Sequence, residues 1–99
     1  MRTTYSIILS AGQTSDAELI TEDVSIIIVT LSFPDGTGSA KVQTTTDELA
    51  EIADNTAIWI DWDQGTITVT TTDTAYAPRA IRLVNSGATR AKMTVRGNY

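Results

Sequence analysis

This sequence predicts an all-β fold: a small β-sandwich or jelly-roll-like barrel of seven or eight strands, with at most one short helix. Three observations carry that prediction. Short β-branched or alternating segments recur at near-regular spacing, separated by clusters of Gly, Pro, Asp, Asn and Ser. Threonine supplies 18 of the 99 residues, and its branched Cβ favours extended backbone without creating an apolar patch. The stretch Ala57 to Val69 holds both tryptophans and alternates with period two. On a strand it puts Ile58, Ile60 and Trp62 on one face and Trp59, Asp61 and Asp63 on the other.

Taken in order, Thr4 to Ser10 reads as an opening strand with Tyr5, Ile7 and Leu9 on one face. Ala11 to Asp16 is a turn cluster, and Ala17 to Ile20 a short strand. Val24 to Phe33 is the longest β-branched run. Ile26 to Val29 make it apolar on both faces, which predicts a central strand covered on both sides, by a second sheet or by another subunit. Pro34 to Ser39 ends it in a loop. Ala40 to Thr44 is a further strand. Thr45 to Ala53 is the helical candidate, with Thr45 and Glu48 as a capping box and Leu49 with Ile52 or Ala53 facing the core. Gln64-Gly65 then turns the tryptophan strand into a hairpin with Thr66 to Val69. The Thr-rich strand runs on to Thr72, and Asp73 to Pro78 is a connection. Ile81 to Asn85 and Ala88 to Arg96 form a closing hairpin around Ser86-Gly87.

The length fits one domain, residues 1–99, burying about two-thirds of its unfolded surface around one modest core. The chain has no cysteine, hence no disulfide framework and no thiol chemistry. It has no histidine either, which removes the usual base near neutral pH, the Ser-His pair and the commonest zinc ligand. The expectation is therefore no enzyme, with no catalytic, cofactor-binding or metal-binding residues. The apolar runs fall short of the about 20 residues that span a bilayer, and Met1 to Tyr5 lacks a signal-peptide pattern. A protein made in the cytoplasm, without a membrane partner, is expected.

Net charge is −5, which argues against binding a nucleic-acid backbone. The charge is unevenly placed. All 12 acids precede Tyr76, whereas Arg79, Arg82, Arg90, Lys92 and Arg96 follow it with no acid among them. Either these cations pair with acidic strands of their own sheet, or they form the basic side of a dipolar subunit that meets acidic neighbours. Arg82 alternates with Ile81 and Leu83, so its side chain points away from the core. Glu18, Glu22 and Asp23 read as a solvated acidic rim that Arg79 and Arg82 can reach.

Three further features bear on chemistry. Asp61 and Asp63 lie about 7 Å apart on one strand face, but no Asp-x-Asp-x-Asp-Gly loop is present for calcium. They read as charges that keep a strand end from pairing with another chain. Asp35-Gly36-Thr37-Gly38 lacks the Gly-Lys-Ser/Thr element of a phosphate loop and reads as a turn. Trp59 shares a face with two aspartates. It is either shielded by a loop or serves as an aromatic anchor between subunits.

Four segments recur here in order: Ala40-Lys41-Val42-Gln43-Thr44-Thr45, Trp59-Ile60-Asp61-Trp62, Gly65-Thr66-Ile67-Thr68 and Ala80-Ile81-Arg82-Leu83-Val84-Asn85-Ser86-Gly87. Their order and spacing, from about Val24 to Val95, resemble small virion structural proteins of tailed bacteriophages, of the capsid decoration or cement type. The resemblance implies a compact sandwich subunit, often a homotrimer, that binds the outside of the capsid shell without cofactor or catalysis. Its partners would be itself and the major capsid protein lattice, and its location the virion. Trp59, Arg79, Arg82, Arg90, Lys92 and Arg96 are the interface candidates. A small tail or head-tail connector component is the alternative, followed by a carbohydrate-binding sandwich with Trp59 as the sugar platform.

Overall fold

The computed structural model describes residues 3–20 and 25–98. Among them the elements are β1 (Thr3–Leu9), β2 (Glu18–Leu19), β3 (Ile26–Ser32), β4 (Ala40–Thr45), α1 (Leu49–Ala53), β5 (Ile60–Asp61), β6 (Thr71–Tyr76), β7 (Ala80–Asn85) and β8 (Ala91–Asn98). Sheet A has the order β1-β8-β3-β6 and sheet B the order β2-β7-β4-β5, with every neighbouring pair antiparallel. First strand pairs with last, second with seventh, third with sixth and fourth with fifth. That is the rolled-up hairpin of a jelly roll. The all-β sandwich expected from the sequence is the observed fold.

Alternation explains why the two sheets close on each other. Every second residue of β3 (Ile27, Val29, Leu31) and of β8 (Ala91, Met93, Val95) points inward from sheet A and is buried. Ala40 and Val42 of β4, Ile81 and Leu83 of β7, and Trp62 after β5 meet them from sheet B. Burying each large aliphatic side chain contributes about 1.5–3 kcal/mol.

Several expectations need correction. Of the two covers expected for the central strand, a second sheet or another subunit, sheet B supplies one, over Ile27, Val29 and Leu31. Only one face of β3 meets sheet B, while Ile26 and Ile28 remain 43% and 37% exposed. Val24, the expected start of that strand, lies outside the described residues. The expected capping box and core-facing helix are also absent. Thr45 Oγ1 accepts from the Asp47 amide instead, ending β4 in a turn, so the helix starts after Glu48 and buries none of its residues.

The tryptophan hairpin does not form, because β4 takes both of its arms. Gln43 and Thr44 pair with Asp61 and Ile60, and farther along Ala40 bridges to Ile67. Residues 63–66 bulge outward between these contacts, with Gly65 at a φ of 61°. Trp62 faces the core, as its alternation requires, but Ile58, which precedes β5, and Ile60 stay exposed. The Thr-rich strand is shifted: β6 begins at Thr71 and runs through the expected connection to Tyr76, pairing with β3 from Leu31 to Ile26.

The closing hairpin is replaced by a crossing between sheets. β7 lies between β2 and β4, and β8 between β1 and β3. The side chain of Asn85 organises this corner. Its Nδ2 donates to the carbonyls of Leu9, Ser10 and Thr89, and its Oδ1 accepts from the Gly87 amide. A Cβ on Gly87 would come within 2.8 Å of the Ser39 amide nitrogen, so the corner also needs a residue without a side chain. Replacing Asn85 with alanine should cost about 3 kcal/mol, since it strands several carbonyls at a 1%-exposed position. Urea unfolding measures this. A loss under about 1 kcal/mol would mean that water serves those carbonyls equally well.

Candidate functional site

Both sheets present an outer face, and the two faces differ in chemistry. On sheet B, alternation turns Lys41 and Gln43 of β4 and Arg82 of β7 outward, beside Asp61 of β5. They join in one polar row. Arg82 Nε donates to Gln43 Oε1 at 2.8 Å, Gln43 Nε2 donates to Asp61 Oδ1 at 3.0 Å, and Lys41 Nζ lies 3.4 Å from Asp61 Oδ1. The Gln43 bond, helped by the Lys41 charge against a small desolvation cost, holds the Asp61 carboxyl below its ordinary range.

Trp59 belongs to this face. The Arg82 guanidinium sits over its ring, 4.3 Å from the centroid, a cation–π contact that partial burial strengthens. The same burial lowers the Arg82 pKa from its usual value. Thr45 and Ala80 are register partners that should face outward by alternation with Val42 and Ile81, yet both are buried. The 46–59 segment lies at this end of the face, tied down by the Asp47 amide on Thr45, by the Asp47 carboxylate on the Ile58 amide, and by Trp59 on Arg82.

The outer face of sheet A carries different groups. Across β1, β8, β3 and β6 the outward rows pair Ile8 with Lys92, Arg96 with Ile28, and Ile26 with Tyr76. Between them runs a row of hydroxyls: Ser6 beside Thr94, Thr94 beside Thr30, and Thr30 beside Thr72, whose Oγ1 atoms are 3.0 Å apart. Ile8 is 54% exposed and Tyr76 88%. Among the described residues neither Lys92 nor Arg96 makes an ion pair, and no acidic side chain lies on this face. The alkyl stems of the two cations run beside isoleucines, so the surface is apolar and positively charged together.

The six interface candidates are therefore not one patch. Trp59 and Arg82 meet on sheet B, while Lys92 and Arg96 share sheet A. Arg90 lies in the loop before β8, where it chelates Asp35 through Nη2 at 2.8 Å and Nε at 3.2 Å. Those bonds lower the Asp35 pKa and raise that of Arg90. The Arg79 backbone joins Thr45 and Ile20. Arg82 turns to Gln43 and Trp59 rather than to the expected acidic rim, of which Glu22 and Asp23 lie outside the described residues. Ile8, Ile26, Ile28 and Tyr76 were not among the candidates. No sequence signal separated them from the core, because β3 is apolar at Ile26, Ile27, Ile28 and Val29 alike.

An open cleft of about 390 Å³ lies at the edge where β5 and β6 face each other, lined by Thr44, Asp61, Trp62, Asp63, Thr74 and Tyr76 among others. Its carboxylates do not converge with those elsewhere: Asp35 is held by Arg90 and Asp73 by Gln64. Among the described residues no three His, Cys, Asp or Glu side chains gather as metal ligands.

No protein-family model and no curated protein matches this chain. Solved structures do. Oxalate oxidase matches with a TM-score of 0.61 and 14% identity over 98% of this chain, which spans 41% of the length of that enzyme chain. A Cupin_2 domain of an XRE family transcriptional regulator from Enterobacter cloacae matches at 0.53 and 14%, covering 99% of this chain and 81% of that one. The Bacillus endospore appendages, which form disulfide-linked pili, match at 0.54 and 14%, covering 99% and 87%. This chain shares their jelly-roll sandwich. At such identities the likeness is one of fold, and a fold does not carry a function with it.

The paired aspartates have a measurable consequence. Asp35 and Asp61 both have folded pKa values below the unfolded 3.8. Their ionised forms thus stabilise the fold above that pH, and the contribution is lost as pH falls through the lowered folded values. Below pH 3.8 the melting temperature of the wild type should fall more steeply than that of an Asp35→Asn, Asp61→Asn double variant. Parallel curves would show that neither bond persists in solution.

Proposed function

We propose that this chain is a non-enzymatic virion structural protein of a tailed bacteriophage, a capsid decoration or cement subunit that binds the outer shell and stabilises it. The observation that carries this reading is the outer face of sheet A. It joins exposed Ile8, Ile26, Ile28 and Tyr76 to two unpaired cations, and no described part of the chain covers it. Such a face suits contact with protein. The lack of histidine and cysteine supports a role without catalysis. A jelly roll of similar extent builds the Bacillus endospore appendages, so this fold can serve as an assembly subunit. Those appendages are disulfide-linked, whereas a chain without cysteine assembles by non-covalent contact alone.

The mechanism is mass action. A subunit that binds only the assembled lattice stabilises it by RT ln(1 + [L]/Kd), about 2.7 kcal/mol at a hundred times Kd. The homotrimer that the resemblance implies would multiply each contact through avidity. The carbohydrate reading gains no support from the site, because the Arg82 guanidinium occupies one face of the Trp59 ring.

The test is location together with effect. Gold-labelled antibody should mark the outside of the head on purified virions, and shells lacking the subunit should release their contents at a lower temperature, restored by adding it back. Label at the tail or neck would favour the connector reading. Virions without label would overturn a virion role altogether.

A further inference from the structure

We propose that the outer face of sheet A is the seat for a second copy of this chain, which docks with its acidic 47–54 segment. This deepens the assembly reading by naming the occupant of the face, and it can be tested without any shell.

Charge complementarity within the one molecule is the first argument. On sheet A, Lys92 and Arg96 are the charged side chains of the outer face among the described residues, and neither has an ionic partner. Asp47, Glu48, Glu51 and Asp54 fall within eight consecutive residues that contain no cation. The other described acids that make ion pairs are committed locally, Asp35 to Arg90 and Asp61 to Lys41. The segment and the face therefore hold opposite charges that no ion pair among the described residues neutralises.

Apolar surface follows the same division. Helix α1 buries none of its residues, and Leu49 is 47% exposed beside those acids. Ile58, which closes the segment onto the Asp47 carboxylate, is 73% exposed. Ile28 and Ile8, the register neighbours of Arg96 and Lys92, offer the matching surface. The two patches cannot meet within one chain: the segment lies against the outer face of sheet B, and the cations are on the outer face of sheet A. A contact between two different patches is heterologous. It closes into a ring when the turn per copy divides the circle, a third of a circle for a trimer, and otherwise extends as a stack.

Area sets the strength. Four strands about 4.8 Å apart and about seven residues long give a face of roughly 450 Å². A stable interface needs about 800 Å² on each partner. One contact is thus weak in solution, and it becomes persistent when several copies are held side by side.

Sedimentation of the full chain tests this from micromolar to millimolar concentration. The average mass should rise with concentration at about 0.05 M salt and fall back at about 1 M, where the Debye length shrinks to about 3 Å. Arg96→Glu alone and Glu51→Lys alone should each weaken association about tenfold with unchanged melting temperature. An equimolar mixture of the two should associate again, because each face then meets a loop of opposite charge. A wild type that stays monomeric at millimolar concentration, variants that associate as wild type does, or a mixture that stays apart would each overturn the proposal. Virion label without self-association would sink this inference and leave the shell role standing; the reverse pattern would do the opposite.

Discussion

The passage of the chain from sheet B to sheet A at Asn85 is the constraint on which the rest of this structure depends. A jelly roll requires its seventh and eighth strands to lie in different layers, so the backbone must turn through the end of the core without leaving polar groups stranded there. Asn85 is itself a β7 residue paired with Ala40, and its amide donates to the Gln13 carbonyl. Its carboxamide meanwhile holds the end of β1 and the approach to β8. One side chain thus ties strands of both sheets. Were β7 and β8 instead joined as a hairpin, β8 could not sit between β1 and β3. Sheet A would lose its middle, and the cluster of Ile27, Val29, Met93 and Val95 would lose its wall.

That topology leaves four edges, and their protection is uneven. On the β6 edge, Asp73 sits in the inward row opposite Val29. An inward charge on an edge strand discourages pairing with another chain. Here its two oxygens are used: one accepts from Gln64, which belongs to the bulge beyond β5, and the other from the Thr74 amide. The bulge that displaces the expected tryptophan hairpin therefore serves to close the β5–β6 side. Strand addition at that edge is disfavoured.

Most strands of the two sheets were legible in the sequence, though not the extent of β6 or the irregular 62–70 stretch; pairings were not. Alternation of Tyr5, Ile7 and Leu9 and the β-branched run of β3 predict strands from local information, the residues around Gly12 and Gly36 predict turns, and each is found there. Period two says which residues share a face, but not which strand lies next to which. Ser86-Gly87 looks like a hairpin turn from either side. Only the carbonyls waiting for Asn85, more than seventy residues back at Leu9 and Ser10, make it a crossing between sheets. The same limit hid the candidate surface. Ile26 and Ile28 read as buried because an apolar residue on a strand usually is, and nothing in the sequence tells that sheet A has a partner on one side alone. Arg82 was readable as outward-facing from Ile81 and Leu83. Its place over Trp59 depends on a return of the 46–59 segment that no periodicity reveals.

The charge asymmetry along the chain takes on a spatial meaning through this fold. Arg82 lies in β7, and Lys92 and Arg96 in β8, strands that a jelly roll assigns to opposite layers, while Arg79 and Arg90 precede them. The basic block is therefore split. Arg82 faces outward on sheet B, where Gln43 and Trp59 engage it, while Lys92 and Arg96 face outward on sheet A among isoleucines and threonines. The long connection from β4 to β5 keeps its acids in a segment with almost nothing buried. A dipole written along the sequence becomes two separate surfaces of opposite sign. Charge of one sign on a face opposes contact of that face with its own copy, and charge of the other sign elsewhere favours contact between unlike surfaces.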